Sequence, residues 1–268
     1  MKSFLILGHK GYLGASLCNV LISREYEVST IPGKVTLENI ATLTTEYFNG
    51  GYIVLNCIGS GVSNNSDIQN LTANGAMIEP LLSSFSASTA NKFIHFGTRY
   101  ELFDTHIPQK RLPYVSSKIL GSDICKKYIE KDKRIHLLYL PTIIDHNQPV
   151  GRFFADFIRS SFLNSKFIIS DPFSKISFTN FDTLFKEMIQ IIDFGDKNIY
   201  SISSEGVMNV IDFAHYLNNV LKNNGYRPVD IYLDKHKKCL LKDNEIKLSD
   251  KFSLQTETSI NLIAKEMV

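Results

Sequence analysis

The chain of 268 residues has no tryptophan and only four cysteines, Cys18, Cys57, Cys125 and Cys239, none in a CxxC pair. That scatter excludes a disulfide scaffold and a zinc knuckle, and reads as the reduced cysteines of a cytoplasmic protein. A surplus of charge is also missing: 29 Lys and Arg face 27 Asp and Glu, for a net +2. Nothing in that balance points to nucleic acid or to a membrane surface. No apolar run approaches the roughly 18 residues of a membrane span. The opening "MKSFLILGHKG" begins like a signal peptide, but "FLIL" is too short for its apolar region and a glycine turn follows at once. The seven histidines show no ligand spacing, so no metal is expected.

What is present is an alternation of short apolar runs and amphipathic stretches. "SFLIL" (3–7), "EVSTI" (27–31), "YIVLNCIG" (52–59), "KFIHFGT" (92–98) and "RIHLLYLPTII" (134–144) read as strands. Between them, "YLGASLCNVLISRE", "TLENIATLTTEYF" (36–48), "IEPLLSSFSAST" (78–89) and a segment running from Tyr114 to about Glu130 read as helices. This pattern predicts an α/β fold, a Rossmann-like doubly wound parallel sheet. After Asp145 the pattern loosens. Helices are expected over 151–165, 180–192, 209–225 and 258–268, and short strands over 166–170, 198–203 and 229–233. The expected division is a dinucleotide-binding domain over 1–145 and a smaller C-terminal α/β substrate lobe over 146–268, with some segments returning to the sheet.

"GHKGYLG" sets Gly8, Gly11 and Gly14 between the first strand and the first helix. That context makes a glycine motif credible, because glycine permits a tight turn and a close backbone approach, and the helix N-terminus then offers N–H groups to a pyrophosphate. Lys10, Tyr12 and Leu13 share the turn. The second strand ends in "STIPGK", with no acid to read an NAD ribose and with Lys34 close by. NADP is therefore favoured, with NAD as the alternative. Asn56, Ile58 and Gly59 fall at the C-terminal end of the third strand, where ligands sit in open α/β sheets.

Tyr114 stands four residues before Lys118, on one face of a helix. Alone, such a pair means little in a chain with 12 tyrosines. Taken with the glycine turn, "NCIGS" (56–60), Asn74, "FIHFGTRYELFD" (93–104) and Thr98 sixteen residues before Tyr114, it resembles the extended short-chain dehydrogenase/reductase family of NAD-dependent epimerases and dehydratases. "FFADFIRSSFLNSKFIISDPFSKISFTNFDTLF" and "IYSISSEGVMNVIDFAHYL" are similar to the substrate lobe of its nucleotide-sugar-modifying members. Within that family the look is nearest to nucleotide-sugar 4-ketoreductases.

The resemblance implies roles. Tyr114 gives its phenolic proton to a carbonyl oxygen; Lys118 lowers the phenol pKa from about 10 and holds the nicotinamide ribose; Thr98 binds the substrate oxygen. Pro141 falls on the nicotinamide side of the cofactor, in "LYLPTII", where the family usually has an Asn-aromatic-Gly-Pro turn. Arg99 and Arg152 are candidates for substrate phosphate. Dehydratases of the family carry Asp-Glu after the Ser or Thr, whereas here Arg99 and Tyr100 follow Thr98. The expected activity is NAD(P)H-dependent reduction of a nucleotide-linked 4-keto-deoxysugar. The alternatives are an epimerase holding NAD tightly, or a non-catalytic dinucleotide-binding regulator. A nucleotide sugar is the expected partner, a homodimer is allowed, and neither nucleic acid nor membrane is expected.

Overall fold

A computed structural model describes residues 2–61, 67–102, 111–233, 237–238 and 250–267. Phe103 and Asp104 of the "FIHFGTRYELFD" segment, 234–236 of the "DKHKK" basic run, and Cys239 lie outside the described residues.

The first half runs β1 (Ser3–Leu7), α1 (Tyr12–Ser23), β2 (Glu27–Thr30), α2 (Ile40–Tyr47), β3 (Ile53–Asn56), α3 (Asp67–Leu71), a π-helical turn Thr72–Ala76, α4 (Ile78–Ser86), β4 (Lys92–Thr98), a 3-10 turn Arg99–Leu102 and α5 (Leu112–Lys131). Then follow β5 (Ile135–Leu140), β6 (Thr142–Ile144), α6 (Phe153–Phe162), β7 (Lys166–Ile169), β8 (Lys175–Asn180), α7 (Phe181–Phe194), β9 (Ile199–Ser201), β10 (Gly206–Asn209), α8 (Val210–Asn223), β11 (Asp230–Leu233), β12 (Lys237–Lys238) and α9 (Asp250–Met267).

These elements form two compact units. Among the described residues, one comprises those of 2–102, 111–140 and Phe185–Ile202; the other comprises Pro141–Leu184 and those from Ser203 onward. The first unit holds a six-stranded sheet in the order β2-β1-β3-β4-β5-β9, with every pairing parallel. β1 lies between β2 and β3, so the chain leaves β1 in one direction and returns beyond it in the other. The crevice at that reversal is where ligands bind in doubly wound sheets. The inner strands β1, β3, β4 and β5 are buried on both faces, as continuous apolar runs require, while the edge strands β2 and β9 are not. On one face Leu5, Leu7, Val54, Phe93, Ile135 and Leu137 pack with Ile40 of α2, Ile78, Leu81 and Phe85 of α4, and Ile129 of α5.

Several expectations about the elements change; the terminal helix expected over 258–268 starts at Asp250, and β12 was not expected. The regular helix expected from residue 36 starts at Ile40; ahead of it, Ile40 N–H reaches the Thr36 carbonyl at 3.0 Å, Asn39 Oδ1 takes the Thr36 N–H at 2.7 Å and Asn39 Nδ2 donates to the Lys34 carbonyl at 2.9 Å. The single strand expected over 134–144 is two strands in different sheets, β5 and β6. The break falls at Pro141, which has no N–H to give to a ladder. β8 and β10 were not anticipated; β8, "KISFTN", is buried along five of its six residues, so no alternation marks it. Finally, α3 and the π turn precede α4, and Gly121 of α5 packs so tightly there that a Cβ would stand 2.1 Å from the Asn74 carbonyl oxygen.

The second unit has two three-stranded sheets among the described residues, β10-β8-β6 and β12-β11-β7. Its core is aromatic. Phe178 stacks on Phe213 with centroids 4.7 Å apart, and Phe157 meets Phe167 edge-on at 5.1 Å. Phe153 and Phe154 join this core. Among the described residues no helix is long and apolar enough to cross a membrane.

Candidate functional site

The glycine turn is built by backbone contact. Gly8 has φ +74, a left-handed conformation, and a Cβ there would lie 2.8 Å from the Cys57 carbonyl and the Ile58 nitrogen. Gly11 donates its N–H to the Gly8 carbonyl at 3.0 Å and then starts α1 in an extended conformation. A Cβ on Gly14 would stand 2.3 Å from the Gly8 carbonyl oxygen, so α1 can approach the turn only with hydrogen at that position. No side chain caps α1, and its first turn carries no acid. The positive end of the helix thus faces the crevice without a competing carboxylate, and a dinucleotide pyrophosphate fits it. Lys10 and Lys34 are both exposed.

Across the crevice, Asn56 is buried at the end of β3. Its Nδ2 lies 3.2 Å from His95 Nδ1, and its Oδ1 accepts the Ile58 N–H at 3.2 Å. Asn56 therefore shapes the 57–59 loop from beneath. With Nδ1 accepting, the network assigns the His95 proton to Nε2. Burial first, and then the nearby Lys118 charge, push the His95 pKa down to about 3. Asn74 in the π turn holds the same loop: its Oδ1 accepts the Ser60 N–H at 3.0 Å, and its Nδ2 reaches the Ser60 carbonyl at 3.1 Å and Ser117 Oγ at 3.0 Å. Ser117 Oγ in turn donates to the Tyr114 carbonyl at 2.7 Å. One buried amide thus ties the loop carrying Gly59 to the first turns of α5.

Tyr114 and Lys118 lie one turn apart on α5, both partly exposed. Lys118 Nζ donates to the Phe96 carbonyl of β4 at 3.0 Å, and a Cβ on Gly59 would sit 3.7 Å from it. The lysine therefore bridges the ends of β3 and β4. Burial lowers its pKa, while Glu101 and then Cys57 act to raise it. Cys57 is a free thiol, pushed up by burial. Thr98 is buried at the end of β4, and the Tyr100 N–H approaches its Oγ1 at 3.4 Å, leaving the hydroxyl hydrogen to point elsewhere. Arg99 Nε donates to Ser201 Oγ of β9 at 3.1 Å, and the Arg111 guanidinium lies over the Tyr100 ring at 5.2 Å.

The first unit therefore contains Gly8, Lys10, Gly11, Tyr12, Leu13, Gly14, Lys34, Asn56, Ile58, Gly59, Thr98, Arg99, Tyr114 and Lys118. Pro141 and Arg152 fall in the second unit, Arg152 as the residue preceding α6. Glu101, His95 and the Asn74–Ser117 link were not singled out as functional from the sequence. Their importance comes from partners distant along the chain, which leave no local pattern. Among the described residues no cluster of three metal-ligating side chains occurs.

Solved structures share this fold at low sequence identity. UDP-glucuronic acid 4-epimerase from Bacillus cereus, in complex with a fluorinated UDP-glucuronic acid and NAD, superposes with a TM-score of 0.75 at 18% identity, covering 99% of this chain and 100% of that one. dTDP-glucose 4,6-dehydratase from Bacillus anthracis in complex with NAD gives 0.74 at 11% identity, over 99% and 97%. RMD from Pseudomonas aeruginosa complexed with NADPH gives 0.72 at 12% identity, over 97% and 98%. No curated protein sequence matches the chain significantly. Residues 4–169, which span the glycine turn, the end of β4 and the Tyr114–Lys118 helix, match the NAD dependent epimerase/dehydratase family, and the protein is an enzyme of that family.

Proposed function

We propose that this enzyme reduces the keto group of a nucleotide-linked 4-keto-deoxysugar, with NADPH preferred over NADH. The observation that carries the reading is the end of β4. Thr98 sits there beside the Phe96 carbonyl that anchors Lys118, and the two residues after Thr98 are Arg99 and Tyr100 rather than a pair of carboxylic acids. A dehydration needs additional acid and base groups near the sugar; a reduction needs one proton donor and a carbonyl clamp.

Bound reduced nicotinamide supplies a hydride. The chain supplies everything else. Gly8, Gly11 and Gly14, with Lys10, Tyr12 and Leu13, would hold the pyrophosphate; Lys34 would meet a ribose phosphate; Asn56, Ile58 and Gly59 would form the floor of the crevice, and Pro141 the nicotinamide side. The Lys118 ammonium would hold the nicotinamide ribose and favour ionisation of Tyr114. Tyr114 then gives its phenolic proton to the carbonyl oxygen, which becomes a hydroxyl, and solvent returns the proton to the phenolate. Thr98 donates a hydrogen bond to the same oxygen as charge develops. Arg99 and Arg152 are the cations offered to the nucleotide diphosphate.

Some of the similar solved structures hold a UDP sugar with NAD, and one holds NADPH. UDP-, dTDP-, CDP- and GDP-linked 4-keto sugars should therefore be screened for NADPH oxidation, followed by analysis of the product epimer. Stoichiometric loss of nicotinamide absorbance supports the proposal. The epimerase fold match favours one second reading. In that case the purified protein retains NAD, and a 4-hydroxy sugar nucleotide is converted to its epimer without net cofactor oxidation.

A further inference from the structure

We propose that Glu101 is a positioning residue of this site: its partly buried carboxylate clamps the backbone of Thr98 and is the counter-charge of Lys118 across Gly97. The inference rests on the proposed roles of Thr98 and Lys118 in the reduction. Glu101 lies in the 3-10 turn after β4, and its side chain folds back on the strand it has just left. Glu101 Oε1 accepts the Thr98 N–H at 2.7 Å. Lys118 Nζ is fixed on the Phe96 carbonyl. The carboxylate and the ammonium are thereby held on either side of Gly97, one by the N–H of Thr98 and the other by the C=O of Phe96.

Gly97 is what makes room for this. A Cβ there would lie 3.0 Å from Glu101 Oε1 and 2.8 Å from the Tyr139 ring. The glycine and the glutamate are a matched pair, the first vacating the space that the second fills. The Thr98 N–H requires an acceptor, and the Glu101 carboxylate supplies it.

The charged groups around Glu101 are Lys118 and Lys126 from α5 and, when ionised, Cys125 from α5 and Tyr139 from β5. Lys126 is already committed to Asp123 at 2.9 Å. Lys118 makes no ion pair among the described residues. Burial lowers the Lys118 pKa and Glu101 is the first of the groups that act against it, while burial in turn raises the Glu101 carboxyl above its ordinary value. Burial alone can move a lysine far enough to lose its proton near neutrality. A neutral Lys118 could not favour ionisation of Tyr114.

The alternative is that Glu101 only closes the 99–102 turn. Glu101→Gln separates the two, because glutamine keeps an acceptor for the Thr98 N–H and loses the charge. Lysine-selective 13C labelling of the full chain follows protonation of Lys118 through its Cε shift, with Lys118→Met for assignment. In Glu101→Gln the Lys118 midpoint is expected about one unit lower, since removing a negative charge eases loss of the proton, with melting near that of the wild type. An unchanged midpoint in folded Glu101→Gln overturns the proposal. Should that variant fail to fold, the wild type decides: the Lys118 resonance must also move as Glu101 takes up its proton in acid, and a single titration step overturns the idea. On any sugar that is turned over, the basic limb of kcat/KM shifts down by the same amount. If no sugar is turned over, the proposed activity fails while the Lys118 titration still judges Glu101.

Discussion

The turn after β1 and the turn after β4 both close a parallel strand at the crevice, and they are built from opposite materials. The first is made of backbone: Gly8, Gly11 and Gly14 bring main chain against main chain, and nothing titratable takes part. The second is made of side chains: Glu101, Lys118 and the Asn56–His95 pair fix Thr98 and the strand beneath it. The backbone-built turn should therefore be intolerant of volume and indifferent to pH. The side-chain-built turn should be sensitive to charge and more forgiving of shape.

The largest effect expected is that of Tyr114→Phe, which removes one hydroxyl beside the second turn and leaves the first untouched. Turnover should fall by about 10²–10⁴-fold, the usual worth of a general acid, while dinucleotide affinity is preserved. More than half of the activity surviving would remove Tyr114 from the chemistry.

Acid should separate the turns next. Free histidine titrates near 6.5, whereas burial holds His95 of β4 down at about 3 and His136 of β5 down at about 4. As pH falls below 6.5 the unfolded chain binds two protons that the folded chain refuses, so stability present above pH 6.5 is lost progressively toward pH 4. The limit is on the order of 3 kcal/mol for each histidine. Urea midpoints at pH 7 and pH 4.5 measure this, and His95→Gln should shrink the difference; equal midpoints would sink it.

Gly14→Val tests the backbone turn. Its Cβ would meet the Gly8 carbonyl oxygen at 2.3 Å, where no flexible side chain can yield. Overpacking of this kind costs about 1–3 kcal/mol, and here it also splays the pyrophosphate cradle. Dinucleotide affinity should drop more than about tenfold, by the same factor at every pH. A pH-dependent loss would contradict the contrast between the turns.

Gly97→Ala is the matching change at β4. The groups it meets are the Tyr139 ring and the Glu101 carboxylate, both of which can shift, so a cost of about 1 kcal/mol is expected, with kcat affected more than dinucleotide binding. Equal damage to both constants would mean that the two turns are not independent. The smallest effect expected is that of Lys34→Ala, which should weaken NADPH by a few-fold and NADH less, because an exposed lysine offers a screened charge. A native preference for NADH would count against any role for Lys34.

Local chemistry made much of this protein legible in advance. The buried apolar strands, the glycine turn opening α1, and the Tyr114–Lys118 spacing on α5 are all encoded within a few residues, because strand burial, positive φ and helix periodicity are local rules. The exceptions share one cause. β5 and β6 separate at Pro141 because their partners are different strands, β9 and β8, far along the chain. β8 hides because burial on both faces erases its alternation. Glu101 looks like any surface glutamate until Gly97 and the Thr98 N–H are brought against its carboxylate. The sequence determined where the glycine turn and the Tyr114–Lys118 helix lie. The tertiary structure alone decided which polar groups are buried together, because burial and charge pairing belong to contacts that only the folded chain makes.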